Sequence, residues 1–84
     1  MVATPSVSTA RLRWRCRRGM LELDLLLARY LEHRYPVAPA SEQRAFEALL
    51  ELQDPQLLAF LMGWDLPVDP ELMHVVARCT RLDP

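Results

Sequence analysis

The charged side chains with the most suggestive spacing lie where a basic segment meets an apolar one, between Trp14 and Asp24. Arg18 and Glu22 carry opposite charges, stand four residues apart and bracket Gly19. On a helix such neighbours pair, but an exposed pair stabilises an isolated helix by only about 0.2–0.5 kcal/mol. Helix stabilisation alone therefore does not explain the arrangement, and ionic recognition of another molecule is the chemistry that these residues could perform.

Gly19 is the second unusual feature of this segment. Glycine in a helix is about 1 kcal/mol less favourable than alanine, so its presence indicates an unusual backbone angle or the close approach of another surface. Leu21 and Leu25 lie beside the charged face and outside the apolar stripe of the following helix. Together these residues predict a contact surface for a partner. The alternative is a helix start with a surface ion pair, whose two leucines are covered by a neighbouring helix.

A short basic stretch precedes the glycine. Five of the residues from Arg11 to Arg18 are arginines, arranged around Trp14. Nucleic-acid-binding proteins have such basic patches, but this chain has a net charge of −1 and no second basic stripe. We therefore predict an acidic protein surface or another anionic ligand as the partner, and no nucleic acid. Asp24 is predicted to pair with one of these arginines and so to join the first two helices.

No set of residues in the sequence has the pattern of a catalytic or metal site. Cys16 and Cys79 form no C-x-x-C pair, and neither His33 nor His74 stands at a zinc-ligand spacing. The pair Glu32-His33 is explained by the favourable interaction of a histidine with a helix C-terminus. We predict two structural thiols and an accessory protein that has no catalytic residues and no cofactor of its own.

Helical periodicity continues through the chain. A core-facing stripe is formed by Met20, Leu23, Leu27, Tyr30 and Leu31, which follow the i, i+3, i+4, i+7 spacing of one helix face. Helix boundaries are predicted from prolines, caps and apolar spacing. They give helices at Ala10–Arg17 and about Arg18–Arg34, a third capped by Ser41, a fourth capped by Asp54 and ending at Gly63, and a fifth started by Asp69-Pro70.

These elements predict a small all-α protein, a five-helix bundle formed by residues 10–84 as a single domain. Met62 and Trp64 are assigned to its core. Residues 1–9 are predicted to be a disordered tail, since they lack the charges and the apolar run of a targeting segment. No apolar run is long enough to span a membrane. We therefore expect a cytoplasmic monomer without direct membrane insertion.

The segment Cys16-Arg17-Arg18-Gly19-Met20-Leu21-Glu22-Leu23-Asp24 resembles the Arg-Gly-x-x-Glu signature of the succinate dehydrogenase assembly factor 2 type, a family of small flavinylation factors. The similarity covers nearly the whole chain after about Ala10. It continues in the family's order through Glu32-His33, Asp54-Pro55, Phe60-Leu61-Met62 and Asp69-Pro70-Glu71-Leu72. The nine residues from Cys16 to Asp24 are specific, whereas the later pieces are informative only as a series.

This resemblance implies a function. Family members bind the flavoprotein subunit of succinate dehydrogenase, and in bacteria also that of fumarate reductase, and they promote covalent attachment of FAD to a histidine of that subunit. Arg13 stands where many relatives carry histidine. The partner-binding residues implied by the motif and its surroundings are Arg18, Gly19 and Glu22, with Arg17, Met20 and Asp24 beside them and Trp14 and Arg11 in the basic stretch.

Other classes of function give different expectations. An antitoxin-type partner of a membrane toxin would need a second, dedicated partner protein. An anion- or nucleic-acid-binding module would use the five arginines and would bind with a steep salt dependence. A small enzyme would need a concave polar pocket, which a bundle of this size can hardly enclose.

Overall fold

The structure, a computed structural model, describes the backbone of residues 5–80 and the side chains of residues 10–80. Within this part of the chain it contains five α-helices, one short 3-10 helix and no strand. In chain order these are α1 (Pro5–Arg15), α2 (Leu21–His33), the 3-10 helix (Tyr35–Val37), α3 (Ala40–Leu49), α4 (Asp54–Leu61) and α5 (Pro70–Thr80). The predicted all-α five-helix fold is confirmed. No helix of residues 5–80 is long and apolar enough to cross a membrane.

The first helix differs from its predicted bounds. It begins at Pro5 and not at Ala10, so residues 5–9 of the predicted tail are helical. Proline suits the first turn of a helix because its missing N–H would have no partner there. The small residues that follow it form no apolar stripe, so no periodic pattern predicts this helical turn. Residues 1–4, the rest of the predicted tail, lie outside the described residues.

The core is built on the predicted apolar stripe of α2. Leu23, Leu27 and Tyr30 are fully buried, and Met20 packs at the edge of the same cluster. Phe46 of α3 lies against Tyr30, with 4.5 Å between the ring centroids. Helix α5 packs against α2, α3 and α4, so it joins the other core helices into one bundle.

The helix ends follow the sequence signals in part. Asp69 accepts a hydrogen bond from the Glu71 N–H at 2.9 Å, and Gly63 has a φ of +79°, as predicted for an N-cap and a left-handed C-cap. Asp54 and Ser41 are not N-caps: each lies inside its helix, and no side chain caps α3 or α4. The extended residues Pro39 and Gln53 occupy those positions instead.

Trp64 was assigned to the core, and this assignment is wrong. Its side chain is 72% exposed. The left-handed Gly63 turns the chain out of α4 just before Trp64, so the apolar period of the helix no longer determines which side of the chain is buried. Met62, the other assigned residue, is half-buried.

One buried carboxylate joins three helices. Glu42 of α3 is only 4% exposed. It accepts hydrogen bonds from the Tyr30 hydroxyl at 2.6 Å and from the Arg34 guanidinium at 2.9 and 3.0 Å, and it lies 2.9 Å from Nε2 of His74 on α5. The Arg34 bonds above all, with those from Tyr30 and His74, outweigh burial and lower the pKa of Glu42 to about 2. No local pattern in the sequence identifies this role of Glu42, because its partners lie on other elements of the fold.

Candidate partner-binding site

The motif lies at the connection between α1 and α2, and Gly19 determines the path of this connection. Gly19 has a φ of +83°, a left-handed conformation that residues with a Cβ rarely adopt. Met20 is extended, and α2 begins only at Leu21. The predicted helix start at Arg18 is therefore wrong, since a left-handed residue cannot be part of a right-handed helix. Of the two explanations for the glycine, the structure shows the unusual backbone angle.

Asp24 fixes this connection from the first turns of α2. One carboxylate oxygen accepts the backbone N–H of Arg18 at 2.7 Å, and the other accepts that of Gly19 at 3.1 Å. Asp24 is half-buried. The predicted scaffold role is thus supported, but the predicted partner, an arginine side chain of the first helix, is not the one observed. The backbone amides are nearer because the left-handed turn points them at the start of α2.

The side chain of Arg18 is directed inward, with 15% of its surface exposed. Its Nε donates to the Arg15 carbonyl oxygen at 2.9 Å. Nη1 donates to the Leu52 carbonyl oxygen at 3.2 Å and to Asp54 at 3.1 Å, and Nη2 donates to the Leu50 carbonyl oxygen. The predicted surface pair between Arg18 and Glu22 is wrong, because Arg18 precedes the helix and its guanidinium binds the α3–α4 connection.

Four residues around the motif form an exposed surface, which we call the motif face: Gly19, Leu21, Glu22 and Leu25. Leu21 is 75% and Leu25 52% exposed, and Glu22 and Gly19 are also exposed. A Cβ added to Gly19 would have no atom within 4 Å among the described residues. The alternative that a neighbouring helix covers the two leucines is therefore excluded. The motif face offers a partner two leucines, one carboxylate and a bare stretch of backbone.

The basic stretch lies next to this connection. Trp14 is 72% exposed, and the Arg17 guanidinium lies over its ring, 5.5 Å from the centroid. Arg11 is exposed, whereas Arg15 is half-buried and pairs with Glu51. Trp14, Arg15, Arg17 and Arg18 line a notch of about 600 Å³ whose other wall is formed by residues 50–54. We call it the arginine–tryptophan notch.

The structure thus divides the predicted site residues. Gly19, Glu22, Arg17, Trp14 and Arg11 are exposed and accessible to a partner. A second group faces the interior or the connection itself: Arg18, Asp24 and Met20.

In the part of the chain that the structure describes, the remaining candidates for chemistry do not converge on one site. Cys16 and Cys79 are buried free thiols, and burial raises the pKa of Cys16 to about 11 and that of Cys79 above its usual range. The Glu32 and His33 side chains are exposed, with 3.8 Å between Oε1 of Glu32 and Nε2 of His33. No group of three or more potential metal ligands is found among residues 5–80.

Sequence reasoning missed an apolar groove of about 650 Å³ between the end of α4 and α5. It is lined by Phe60, Leu66, Met73 and Val76, among others. Leu66 is 68% exposed. The sequence signal for this groove is Leu66, an apolar residue in a proline-rich connection where no helical period directs it into the core.

Comparison with known proteins identifies relatives of this chain. The family model described as "Flavinator of succinate dehydrogenase" matches residues 10–82. The chain is similar to the FAD assembly factor SdhE of Methylococcus capsulatus, with 49% identity over 72 residues, 86% of this chain and 87% of the relative. The corresponding proteins of Colwellia psychrerythraea and Shewanella oneidensis are 46% identical over 70 residues (83% and 77% of the two chains) and 42% identical over 72 residues (86% and 88%).

These matches lend no support to the antitoxin alternative. They cover most of the chain and include the whole segment from Arg11 to Asp24 within the family model. The resemblance first noted at Arg18-Gly19-x-x-Glu22 is confirmed, and the chain belongs to the family of flavinators of succinate dehydrogenase.

Proposed function

We propose that this protein binds the flavoprotein subunit of succinate dehydrogenase and promotes the covalent attachment of FAD to it. The observation that carries the proposal is its membership in the flavinator family. The names of the similar bacterial proteins, FAD assembly factors, support the same role. The exposed motif face adds structural support, because neighbouring exposed apolar residues are typical of protein–protein interaction sites.

The protein acts as an accessory factor and supplies no catalytic residue and no cofactor of its own. The chemistry of flavin attachment belongs to FAD and to the client. A small helper contributes by conformational selection: it stabilises the client arrangement in which the acceptor side chain meets the flavin. To do so it must bind this arrangement more tightly than the flavinylated product.

The client-binding surface in this proposal comprises the motif face and the exposed part of the arginine–tryptophan notch. Leu21 and Leu25 supply apolar area, and an exposed residue of this size contributes roughly 1.5–3 kcal/mol when it becomes fully buried. Trp14 and Arg17 belong to the residue types that are enriched among the strongest interface contacts. The notch faces acidic groups of the client, in keeping with the excess of arginine in the first part of the chain.

The same surface serves the flavoprotein subunit of fumarate reductase where the cell makes one. The factor works as a monomer, because its client-binding surface must be free before the client arrives. Its place of action in this proposal is the cytoplasm. Size-exclusion chromatography with light scattering of the purified factor measures the oligomeric state directly.

The decisive experiment reconstitutes the reaction with purified components. The apo-flavoprotein subunit is incubated with FAD, with and without this protein, and covalent flavin is measured by in-gel fluorescence after denaturation. We expect the protein to raise the flavinylated fraction. Leu21→Asp/Leu25→Asp should abolish this gain, whereas Val68→Asp should not, although Val68 is 95% exposed and lies outside the motif face.

An equal flavinylated fraction with and without the protein would refute the proposal. Titration of the isolated protein with FAD, followed by flavin fluorescence, tests the accessory role separately. We expect no saturable binding, because the flavin belongs to the client.

A further inference from the structure

We infer that Arg18, the arginine of the motif, is a positioning residue that supports the motif face from beneath and does not itself contact the client. The inference rests on the proposed function. It divides the motif into an outer part, Gly19 and Glu22, which meets the client, and an inner part, Arg18 and Asp24, which determines where the outer part stands.

The first argument concerns the hydrogen-bond donors of the Arg18 guanidinium. A guanidinium has five N–H donors and no acceptor. Arg18 directs hydrogen bonds to the carbonyl oxygens of Arg15, Leu50 and Leu52 and to the carboxylate of Asp54. A client carboxylate would need two parallel donors for the bidentate geometry that makes arginine a strong anchor. Arg18 can offer them only by breaking bonds to half-buried groups.

The carbonyl groups at the other end of these bonds give the second argument. Leu50 and Leu52 lie in the connection after α3, where no continuing helix supplies N–H partners for their carbonyl oxygens. Arg18 donates a hydrogen bond to each of these two oxygens. Its side chain is only 15% exposed. Removal of the guanidinium would therefore leave acceptors unpaired within the protein, which is a structural consequence and not the loss of a surface charge.

The third argument connects Arg18 with the motif face. Its backbone N–H and that of Gly19 are both held by Asp24, on the same turns of α2 that carry Leu21 and Leu25. Through its side chain Arg18 thus joins the α3–α4 connection to the start of α2. When the hydrogen bonds from the Arg18 side chain to the α3–α4 connection are lost, the left-handed turn at Gly19 is no longer held against this connection. The motif face then loses its fixed position.

The surface that remains for the client has a definite chemistry. It is an apolar patch of two leucines with a single exposed carboxylate, Glu22, between them in sequence. Such a patch fits a client surface that is apolar and carries a basic side chain, since opposite charges across an interface favour the correct partner. Glu22 therefore gives the motif face a charge opposite to that of the neighbouring arginine–tryptophan notch.

Binding to the purified apo-flavoprotein subunit at several salt concentrations separates positioning from contact. The main variant is Arg18→Ala/Asp54→Ala, which removes an ion-paired cation and anion and so leaves the net charge unchanged. We expect its affinity to fall by about tenfold or more, by analogy with the loss of charged hydrogen bonds, with the same salt dependence as the parent. Loss of a contacting charge would instead make the salt dependence shallower.

Arg17→Ala is the matched control, because Arg17 is the adjacent arginine and is exposed. We expect this variant to show the shallower salt dependence. In addition, Glu22→Gln should weaken binding in the parent but should weaken it much less in the Arg18→Ala/Asp54→Ala background. If Arg18 only maintained global stability, a double variant that circular dichroism shows to be folded would bind with the affinity of the parent. Glu22→Gln would then weaken binding equally in both backgrounds.

Arg18→Lys provides a second route if the double variant does not fold. One ammonium group keeps the charge but cannot replace a fork directed at several acceptors, so positioning predicts a loss of affinity together with a much smaller effect of Glu22→Gln than in the parent. A shallower salt dependence in the double variant, a full effect of Glu22→Gln in either Arg18 variant, or an affinity equal to that of the parent would overturn the inference. Failure of the parent itself to bind the subunit would instead refute the proposed function.

Discussion

Substitution of Gly19 tests whether the bare backbone of the motif face meets the client. The chain offers a matched control, because Gly63 has nearly the same backbone angle: φ is +83° at Gly19 and +79° at Gly63. A Cβ built on either glycine has no atom of the described residues within 4 Å. Gly19→Ala and Gly63→Ala therefore impose the same local strain and no internal clash, but only the first adds a methyl group to the motif face.

The expected change in stability is small and equal at the two positions. The left-handed conformation costs an L-residue about 1–2 kcal/mol. A gain of about 0.4–1 kcal/mol from the less flexible unfolded chain offsets part of this cost. Each variant should thus lose about 1 kcal/mol of unfolding free energy, which lowers the melting temperature of a domain of this size by about 4–8 °C.

The expected change in binding differs between the two variants. If a client surface packs closely on Gly19, the added methyl overfills the interface at a cost of about 1–3 kcal/mol, which corresponds to roughly a 5- to 150-fold weaker complex. Gly63→Ala should bind as the parent does. The assay is titration against the apo-flavoprotein subunit, with thermal unfolding measured on the same samples.

Gly19→Asn separates strain from bulk, because asparagine tolerates the left-handed region better than alanine. We expect it to be more stable than Gly19→Ala and yet to bind at least as weakly. Equal affinities of the parent and Gly19→Ala would refute the close approach. Equal weakening by Gly19→Ala and Gly63→Ala would show that backbone strain, and not contact, explains the effect.

Three further predictions concern the scaffold. Glu42→Gln should lower the free energy of unfolding at pH 7 by about 3 kcal/mol, the equivalent of the fall in pKa from 4.5 to about 2, whereas the exposed control Glu32→Gln should change it by less than about 0.5 kcal/mol. The unfolded carboxyl group binds a proton near pH 4.5 and the folded one only near pH 2, so chemical denaturation should show the difference disappearing as pH falls through this range; a constant difference would contradict the assignment. Asp24→Ala removes the acceptor of two backbone N–H groups and should cost roughly 1–3 kcal/mol in urea unfolding; a parent-like midpoint would move Asp24 to the interface. Cys16 and Cys79 are buried and their pKa values are raised, so a chromogenic thiol reagent should modify them only as the protein unfolds, and rapid reaction of the native protein would contradict their burial.

The sequence predicted the elements that depend on local patterns. The apolar spacing from Met20 to Leu31 predicted the buried face of α2, and Asp69-Pro70 predicted the start of α5. Local steric and hydrogen-bonding preferences act within a few residues, so they can be identified in the sequence. Gly19 was recognised as a position with either a special backbone angle or a close contact, and the structure shows the special angle.

The roles of the charged residues could not be determined in this way. Arg18 binds the α3–α4 connection more than thirty positions away in sequence, and Glu42 meets His74 from another helix. No local period relates such partners, because long-range pairs are brought together only when the helices pack.

The sequence by itself determined the fold class, the family and the position of the motif in the chain, since these depend on residue type and spacing. Only the tertiary structure decided which part of the motif faces outward. The left-handed turn at Gly19 directs Arg18 into the α3–α4 connection and leaves Leu21, Glu22 and Leu25 exposed. The physical reason is that a charged side chain becomes a scaffold element or a surface element according to which partners the packed helices bring within hydrogen-bonding distance.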